Sequence, residues 1–195
     1  MIAGLILAAG ESRRMGRDKA LLTYHGRTFI ETVIDNLRAA GIKNVTVVLG
    51  HQAETIQSAI NLAGVRVVVN FHYEQGQTSS LKLGLAAVAA DAPEGVVLCL
   101  VDHPAVPAAV IVKLLERFQS THPPVVVPTY QCQRGHPVII SQAVFPELLA
   151  LPPDEPANAV IRKYRPTTQF VEVADPGVLL DIDDPQAYQR LKEAI

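Results

Sequence analysis

The amino-acid sequence predicts an α/β domain with a mostly parallel central sheet and helices on both faces. Three observations carry this. Short runs rich in Val, Ile and Leu recur along the chain, stretches of helical periodicity separate most of them, and the runs are apolar throughout. A strand that is apolar on both faces must be covered on both, as parallel strands under crossover helices are. Strand alternating with helix is the α/β pattern. The chain has 195 residues, 49% hydrophobic and 18% charged, which suits one domain over 1–195 with a substantial core.

The first strand is expected over Ile2–Leu7. After Gly26, the apolar residues Ile30, Val33, Ile34 and Leu37 recur at i, i+3, i+4 and i+7, and Thr28 with Glu31 has the capping-box spacing. That helix should stop at Gly41. Strands at Val45–Leu49 and Val65–Val69 enclose a helix over Gln52–Leu62, and a helix over Thr78–Ala89, with a serine as its cap, leads to the strand Val96–Val101. A helix over Pro107–Phe118 has its proline in the tolerant first turn. Further strands are expected at Val125–Val127 and Val138–Ile140. From Pro123 onward, prolines punctuate the chain and shorter elements should follow. Asp184 before Pro185 reads as the N-cap of a final helix. No internal repeat or low-complexity segment interrupts this order.

Composition removes several function classes. Lys and Arg number 17 against 19 Asp and Glu, a net charge of −2, which gives no footprint for a nucleic-acid backbone. Two cysteines make neither a disulfide framework nor a four-ligand zinc site: Cys99 reads as a buried hydrophobe and Cys132 as a loop residue. No basic segment precedes the apolar start, and no run approaches the roughly 20 residues that span a bilayer. The expectation is a soluble, cytoplasmic protein without nucleic-acid or membrane partners.

Ligands of open α/β sheets bind beyond the carboxyl ends of the strands. There the first strand runs into Ala8-Ala9-Gly10-Glu11-Ser12-Arg13-Arg14-Met15-Gly16-Arg17-Asp18-Lys19. Glycines let backbone N–H groups approach a phosphate, and four cations supply charge. Neither the Walker A pattern nor Gly-x-Gly-x-x-Gly is present.

The segment Leu7-Ala8-Ala9-Gly10-x-Ser12-x-Arg14-Met15-Gly16-x-x-Lys19 resembles the signature loop of the NTP-transferase family that includes the molybdenum-cofactor cytidylyl- and guanylyltransferases. Further matches follow in order: Val47-Val48-Leu49-Gly50, Asn70 with Gly76 and Ser79-Ser80-Leu81, Val101-Asp102-His103-Pro104, Gly135-His136-Pro137 and Asp181-Ile182-Asp183-Asp184-Pro185. The resemblance implies a single-domain Rossmann-like nucleotidyltransferase fold. It also implies a reaction in which a phosphate oxygen attacks the α-phosphorus of an NTP and pyrophosphate leaves.

Carried over by position, Leu7, Ala8, Ala9 and Gly10 hold base and ribose, and Arg14 and Lys19 grip the triphosphate. Asp102 matches the metal-binding aspartate for Mg²⁺, or Mn²⁺ in its place. Asp183 is the favoured second carboxylate, with Asp181 behind it if the stretch is a strand that points both to one side. Asn70, Ser79 and Ser80 border the nucleotide. Gly135 and His136 belong to the acceptor loop. His103 departs from the residues usual at its position and either lines the cleft or packs at a turn.

The Leu-Ala-Ala-Gly form resembles the cytidylyltransferases, and a Cβ at Ala9 narrows the base pocket, so CTP is favoured over GTP. The expected acceptor is molybdopterin, with transient contact to a molybdoenzyme or its chaperone. In place of the usual Gly-Asp-x-Gly-Ala stretch the chain carries Pro152-Pro153-Asp154-Glu155-Pro156-Ala157-Asn158-Ala159. Another phosphorylated acceptor such as a sugar phosphate stays open, as does a silent nucleotide-binding module.

Overall fold

The computed structural model describes residues 1–152 and 155–193. The elements run β1 (Ile2–Ala8), β2 (Thr23–Tyr24), β3 (Arg27–Thr28), α1 (Phe29–Ala39), β4 (Val45–Leu49), α2 (Ala53–Ala59), β5 (Val65–Val69), α3 (Gln77–Ala89) and β6 (Gly95–Leu100). They continue with α4 (Ala108–Thr121), β7 (Val125–Tyr130), β8 (Gln133–Arg134), β9 (Val138–Ser141), α5 (Phe145–Leu149), α6 (Asn158–Lys163), β10 (Gln169–Glu172) and α7 (Pro185–Glu193). The main sheet has the order β10-β7-β9-β6-β1-β4-β5, with β8 paired to β7. Pairs β1–β4, β1–β6, β4–β5 and β10–β7 are parallel, while β9 runs antiparallel between β6 and β7.

The pleat of β1 divides the core. Ala3, Leu5 and Leu7 pack with Leu81 and Leu85 of α3, and with Phe145 and Leu148 of α5. Ile6 and Ala8 face the other way, into a layer with Phe29, Ile30 and Leu37 of α1, Leu114 and Phe118 of α4, and Leu191 of α7. This two-sided burial is what the unalternating sequence requires. Gly84 lets α3 lie close on the sheet: a Cβ there would sit 2.5 Å from Leu5 Cδ1 and 2.7 Å from Val48 Cγ2.

Several local readings hold. Thr28 and Glu31 form a full capping box, Gly41 ends α1 with φ +90°, and the Asp184 side chain accepts from Ala187 N at 2.8 Å at the start of α7. Cys99 is buried and Cys132 exposed. Cys132 and Gln131, both at positive φ (64° and 48°), form the tight turn between β7 and β8.

Other readings are corrected. Pro107 is the N-cap of α4, with ψ 156°, so it precedes the first turn. α2 is short because Gln52 is left-handed (φ 51°) and Ile60 is extended. No serine caps α3; Gly76 stands at its N-cap, and Ser79 Oγ donates to the Gly76 carbonyl at 2.7 Å. Of the Pro152–Ala159 stretch, Pro153 and Asp154 lie outside the described residues. Among the described residues no helix is long and apolar enough to cross a membrane.

Candidate active site

The signature loop leaves β1 and folds back on itself. Ser12, left-handed at φ 53°, receives the N–H groups of Met15 (3.0 Å) and Gly16 (3.1 Å) on its carbonyl, and its Oγ accepts from Lys19 N at 3.1 Å. Met15 is buried and anchors the loop, while Asp18 accepts from Ala20 N at 2.9 Å and caps a 3₁₀ turn over Lys19–Leu21. The result turns Lys19 inward, its side chain only 11% exposed, and leaves Arg14 outward at 71%. Gly50 lies against the loop's origin. A Cβ on it would stand 2.7 Å from the Ala9 carbonyl oxygen, and His51 N donates to that same oxygen at 3.1 Å.

Two carboxylates meet these cations. Asp102 follows β6, and its Oδ2 lies 3.1 Å from Lys19 Nζ. Asp183 bonds Lys19 Nζ through Oδ1 and takes Arg14 Nη2 at 2.6 Å on Oδ2. Its segment is tied to the sheet end by Ile182 N donating to the Asp102 carbonyl at 2.9 Å. The hydrogen bond from Lys19, with the nearby charges, holds the Asp183 carboxyl below its usual range. Asp102 Oδ1 is buried and has no hydrogen-bond partner among the described residues. A buried carboxylate oxygen without a donor is costly unless a cation completes it.

The pair Asp102 and Asp183 therefore fits a hard divalent cation, which takes one or two carboxylates and completes its shell with phosphates and water. Among the described residues no cluster of three or more His, Cys, Asp or Glu side chains could hold a metal.

Two adjoining cavities lie at this end of the sheet, the smaller of them bordered by Lys19 and Asp102. One, of about 260 Å³, is walled by the Leu7–Gly10 segment, Asp18, Lys19, Ser80 and Asp102. Burial pushes the Asp18 carboxyl up, and its Oδ2 has no partner among the described residues. The other, of about 360 Å³, has an apolar floor that includes Leu81, Leu98, Val138 and Ile140, and it carries Gly135 and His136. Both are bordered by Leu7, Gln77 and Leu100, so they lie side by side.

The expected residues divide accordingly. Leu7, Ala8, Ala9, Gly10, Lys19, Ser80 and Asp102 border the smaller cavity, and Gly135 and His136 the larger. Asp183 joins through Lys19, and Arg14 through Asp183.

Asn70 and Ser79 border neither. Asn70 donates to Ser79 Oγ and Ser80 Oγ, each at 2.9 Å, and accepts from His72 N at 2.9 Å, so its amide is consumed in holding the loop before α3. His103 lies under the cleft in a small gap shared with Cys99 and His136, its ring centroid 5.1 Å from that of His136. Burial lowers the pKa of both histidines, that of His136 to about 4. Residues 181–183 are not a strand, so the expected alternation is absent, and Asp181 is exposed.

Sequence reasoning missed Asp18, Tyr73 and Gln77 at the smaller cavity, and Arg134, Arg162 and Arg165 at the larger. Asp18 and Arg134 adjoin recognised motifs, which was a usable signal. Arg162 and Arg165 gave none.

Comparison with known proteins places this geometry. Nicotine blue oxidoreductase of Paenarthrobacter nicotinovorans is 29% identical over 202 residues, covering 97% of this chain and 96% of that protein. The molybdenum cofactor cytidylyltransferase of Escherichia coli K12 is 24% identical over 190 residues, covering 97% and 94%. A molybdenum cofactor guanylyltransferase of Xanthomonas euvesicatoria is 40% identical over 114 residues, covering 57% and 52%. The crystal structure of Rv0371c from Mycobacterium tuberculosis superposes with a TM-score of 0.88 at 33% identity, covering 98% and 97%. Its complex with manganese gives 0.82 at 30% identity, covering 100% and 99%. The MobA-like NTP transferase domain matches residues 4–168, and this chain is a nucleotidyltransferase of that family.

Proposed function

We propose that this enzyme transfers CMP from CTP to a phosphorylated acceptor, molybdopterin first among candidates, and releases pyrophosphate. The observation that carries the reading is the convergence of Lys19, Arg14, Asp102 and Asp183 beside the cavity walled by Leu7–Gly10, with a second cavity adjoining it. The cytidylyltransferase of E. coli, similar along almost its whole length, supports the choice of nucleotide and acceptor.

In the transfer, an oxygen of the acceptor phosphate forms a bond to the α-phosphorus. The bond from α-phosphorus to the bridging oxygen breaks, and its electron pair leaves on pyrophosphate. Such chemistry asks for alignment and charge neutralisation more than for a covalent nucleophile. The Leu7–Gly10 backbone would hold the nucleoside in the smaller cavity. Lys19 and Arg14 would neutralise the triphosphate and meet the charge growing on the leaving group.

Asp102 and Asp183 would hold Mg²⁺ or Mn²⁺, which when bound screens the triphosphate and orients it. The unpartnered Asp102 Oδ1 favours this, as does the manganese complex of the mycobacterial relative. The acceptor would lie on the apolar floor beside Gly135 and His136, a histidine kept neutral by burial.

Similarity to nicotine blue oxidoreductase along nearly the whole of both chains gives a second reading, an oxidoreductase whose substrate lies on that same apolar floor. One experiment separates them. Pyrophosphate release is measured with CTP, GTP, ATP and UTP, each with Mg²⁺ and molybdopterin, beside NADPH oxidation in the presence of an aromatic dye. Preference for CTP in kcat/KM supports the proposal, and Ala9→Gly should relax it by roughly 1–3 kcal/mol, the worth of one small group in a close-packed pocket. Preference for GTP removes the cytidylyl assignment, and NADPH oxidation without pyrophosphate release installs the redox reading.

A further inference from the structure

We infer that the larger cavity recognises a negative group on the acceptor that is separate from the attacking phosphate, so that the acceptor is an apolar body charged at both ends. The inference rests on the reading of that cavity as the acceptor site. Arg134 of β8, Arg162 in the last turn of α6 and Arg165 just beyond it all border the cavity, and among the described residues no Asp or Glu does. In a chain of net charge −2, three guanidiniums without a carboxylate are a local concentration of positive charge.

The neighbouring groups leave these cations to a ligand. Lys163 pairs with Glu147 at 2.9 Å, and Tyr164 OH donates to the same carboxylate, so the acid on that flank is already engaged. Among the described residues none of the three arginines forms an ion pair. The Arg134 guanidinium carbon lies 5.1 Å from the centre of the Phe170 ring, a contact that steadies it at the rim.

Geometry separates this charge from the reaction centre. The residues common to both cavities are Leu7, Gln77 and Leu100, none of them a cation. A phosphate poised for attack near Lys19 and Asp102 is thus divided from the arginines by an uncharged stretch of wall. An acceptor that spans the cleft lays its apolar part over Leu81, Leu98, Val138 and Ile140 and presents a second anion to the guanidiniums. Guanidinium groups suit carboxylate, phosphate or another planar or tetrahedral oxyanion by paired N–H donation. The volume, about 360 Å³, falls among small-ligand pockets.

The test uses two fluorescent probes on the whole protein without nucleotide: 8-anilinonaphthalene-1-sulfonate, apolar and anionic, and its neutral counterpart N-phenyl-1-naphthylamine. The sulfonate should bind at a single site, and the neutral dye more weakly. The double variant Arg134→Gln, Arg162→Gln should weaken the sulfonate by about tenfold per arginine, the worth of one charge-assisted hydrogen bond, and leave the neutral dye and the melting temperature unchanged. CTP with Mg²⁺ should not displace it. Equal affinity for both dyes, an unaffected double variant, or displacement by CTP each overturns the inference. No nucleotide chemistry enters the titration. A protein that binds the sulfonate as described but never uses CTP refutes the transfer reading alone, and one that uses CTP but binds both dyes equally refutes the second anion site alone.

Discussion

Lys19 stands between two carboxylates, Asp102 and Asp183, that belong to distant parts of the chain. Asp102→Ala should abolish transfer while the melting temperature stays near that of the parent. Its Oδ1 is buried without a partner among the described residues, so the fold gains little from it, and Ile182 is held by the backbone carbonyl, which the substitution leaves in place. The loss should amount to several kcal/mol of transition-state stabilisation, as for removal of a metal ligand. Wild-type activity at saturating Mg²⁺ would place the cation elsewhere.

Lys19→Ala and Arg14→Ala should each lower kcat more than they raise KM for the nucleotide, because charge moves onto pyrophosphate only in the transition state. Lys19 is the more enclosed, and its loss should cost more than that of the outward Arg14. A rise in KM with kcat untouched would make either side chain a docking contact. Lys19 and Asp102 were legible because loop and strand end are local features. Asp183, not Asp181, is the aspartate that meets Lys19 and Arg14, and strand alternation is not what brings it there. The segment is irregular, and the bond from Ile182 N to the Asp102 carbonyl sets its position.

At the scale of elements, α3 carries the test of close packing. Gly84→Ala adds a methyl group 2.5 Å from Leu5 Cδ1 and 2.7 Å from Val48 Cγ2, both residues fully buried. Alanine is the better helix former by about 1 kcal/mol, yet overpacking costs roughly 1–3 kcal/mol, so net destabilisation is expected in denaturant unfolding. A more stable variant would show that the helix moves away freely.

The β9 segment carries a pH test. His136 at its approach has a folded pKa near 4 against an ordinary 6.5. Above pH 6.5 both folded and unfolded chains keep it neutral and it contributes no slope. Between about 6.5 and 4 only the unfolded chain takes the proton, so folding stability should fall across that window. His136→Asn should flatten the fall, and an identical pH profile would mean that the imidazole is solvated. Apolar runs revealed most core strands, but not the reversed direction of β9, since a run buried on both faces reads alike either way. β10 was missed because of its four residues, Gln169 to Glu172, only Val171 is buried.

Over the whole molecule, two neighbouring cavities lie at the carboxyl ends of β1 and β6, and in the proposed reading the smaller takes the nucleotide and the larger the acceptor. The nucleotide side was largely legible because its motif is continuous in sequence. The acceptor side was not. Its floor comes from α3, β6 and β9, and its cations come from β8 and the α6 end, residues that only the tertiary fold assembles. The measurement that bears most directly on the transfer uses CTP labelled at the α-phosphate, with purified protein, Mg²⁺ and molybdopterin. Label should pass to the acceptor with an equal amount of pyrophosphate, and Asp102→Ala should stop both. Label that stays in CTP, or that passes to the acceptor equally well in Asp102→Ala, would contradict transfer of CMP at this site.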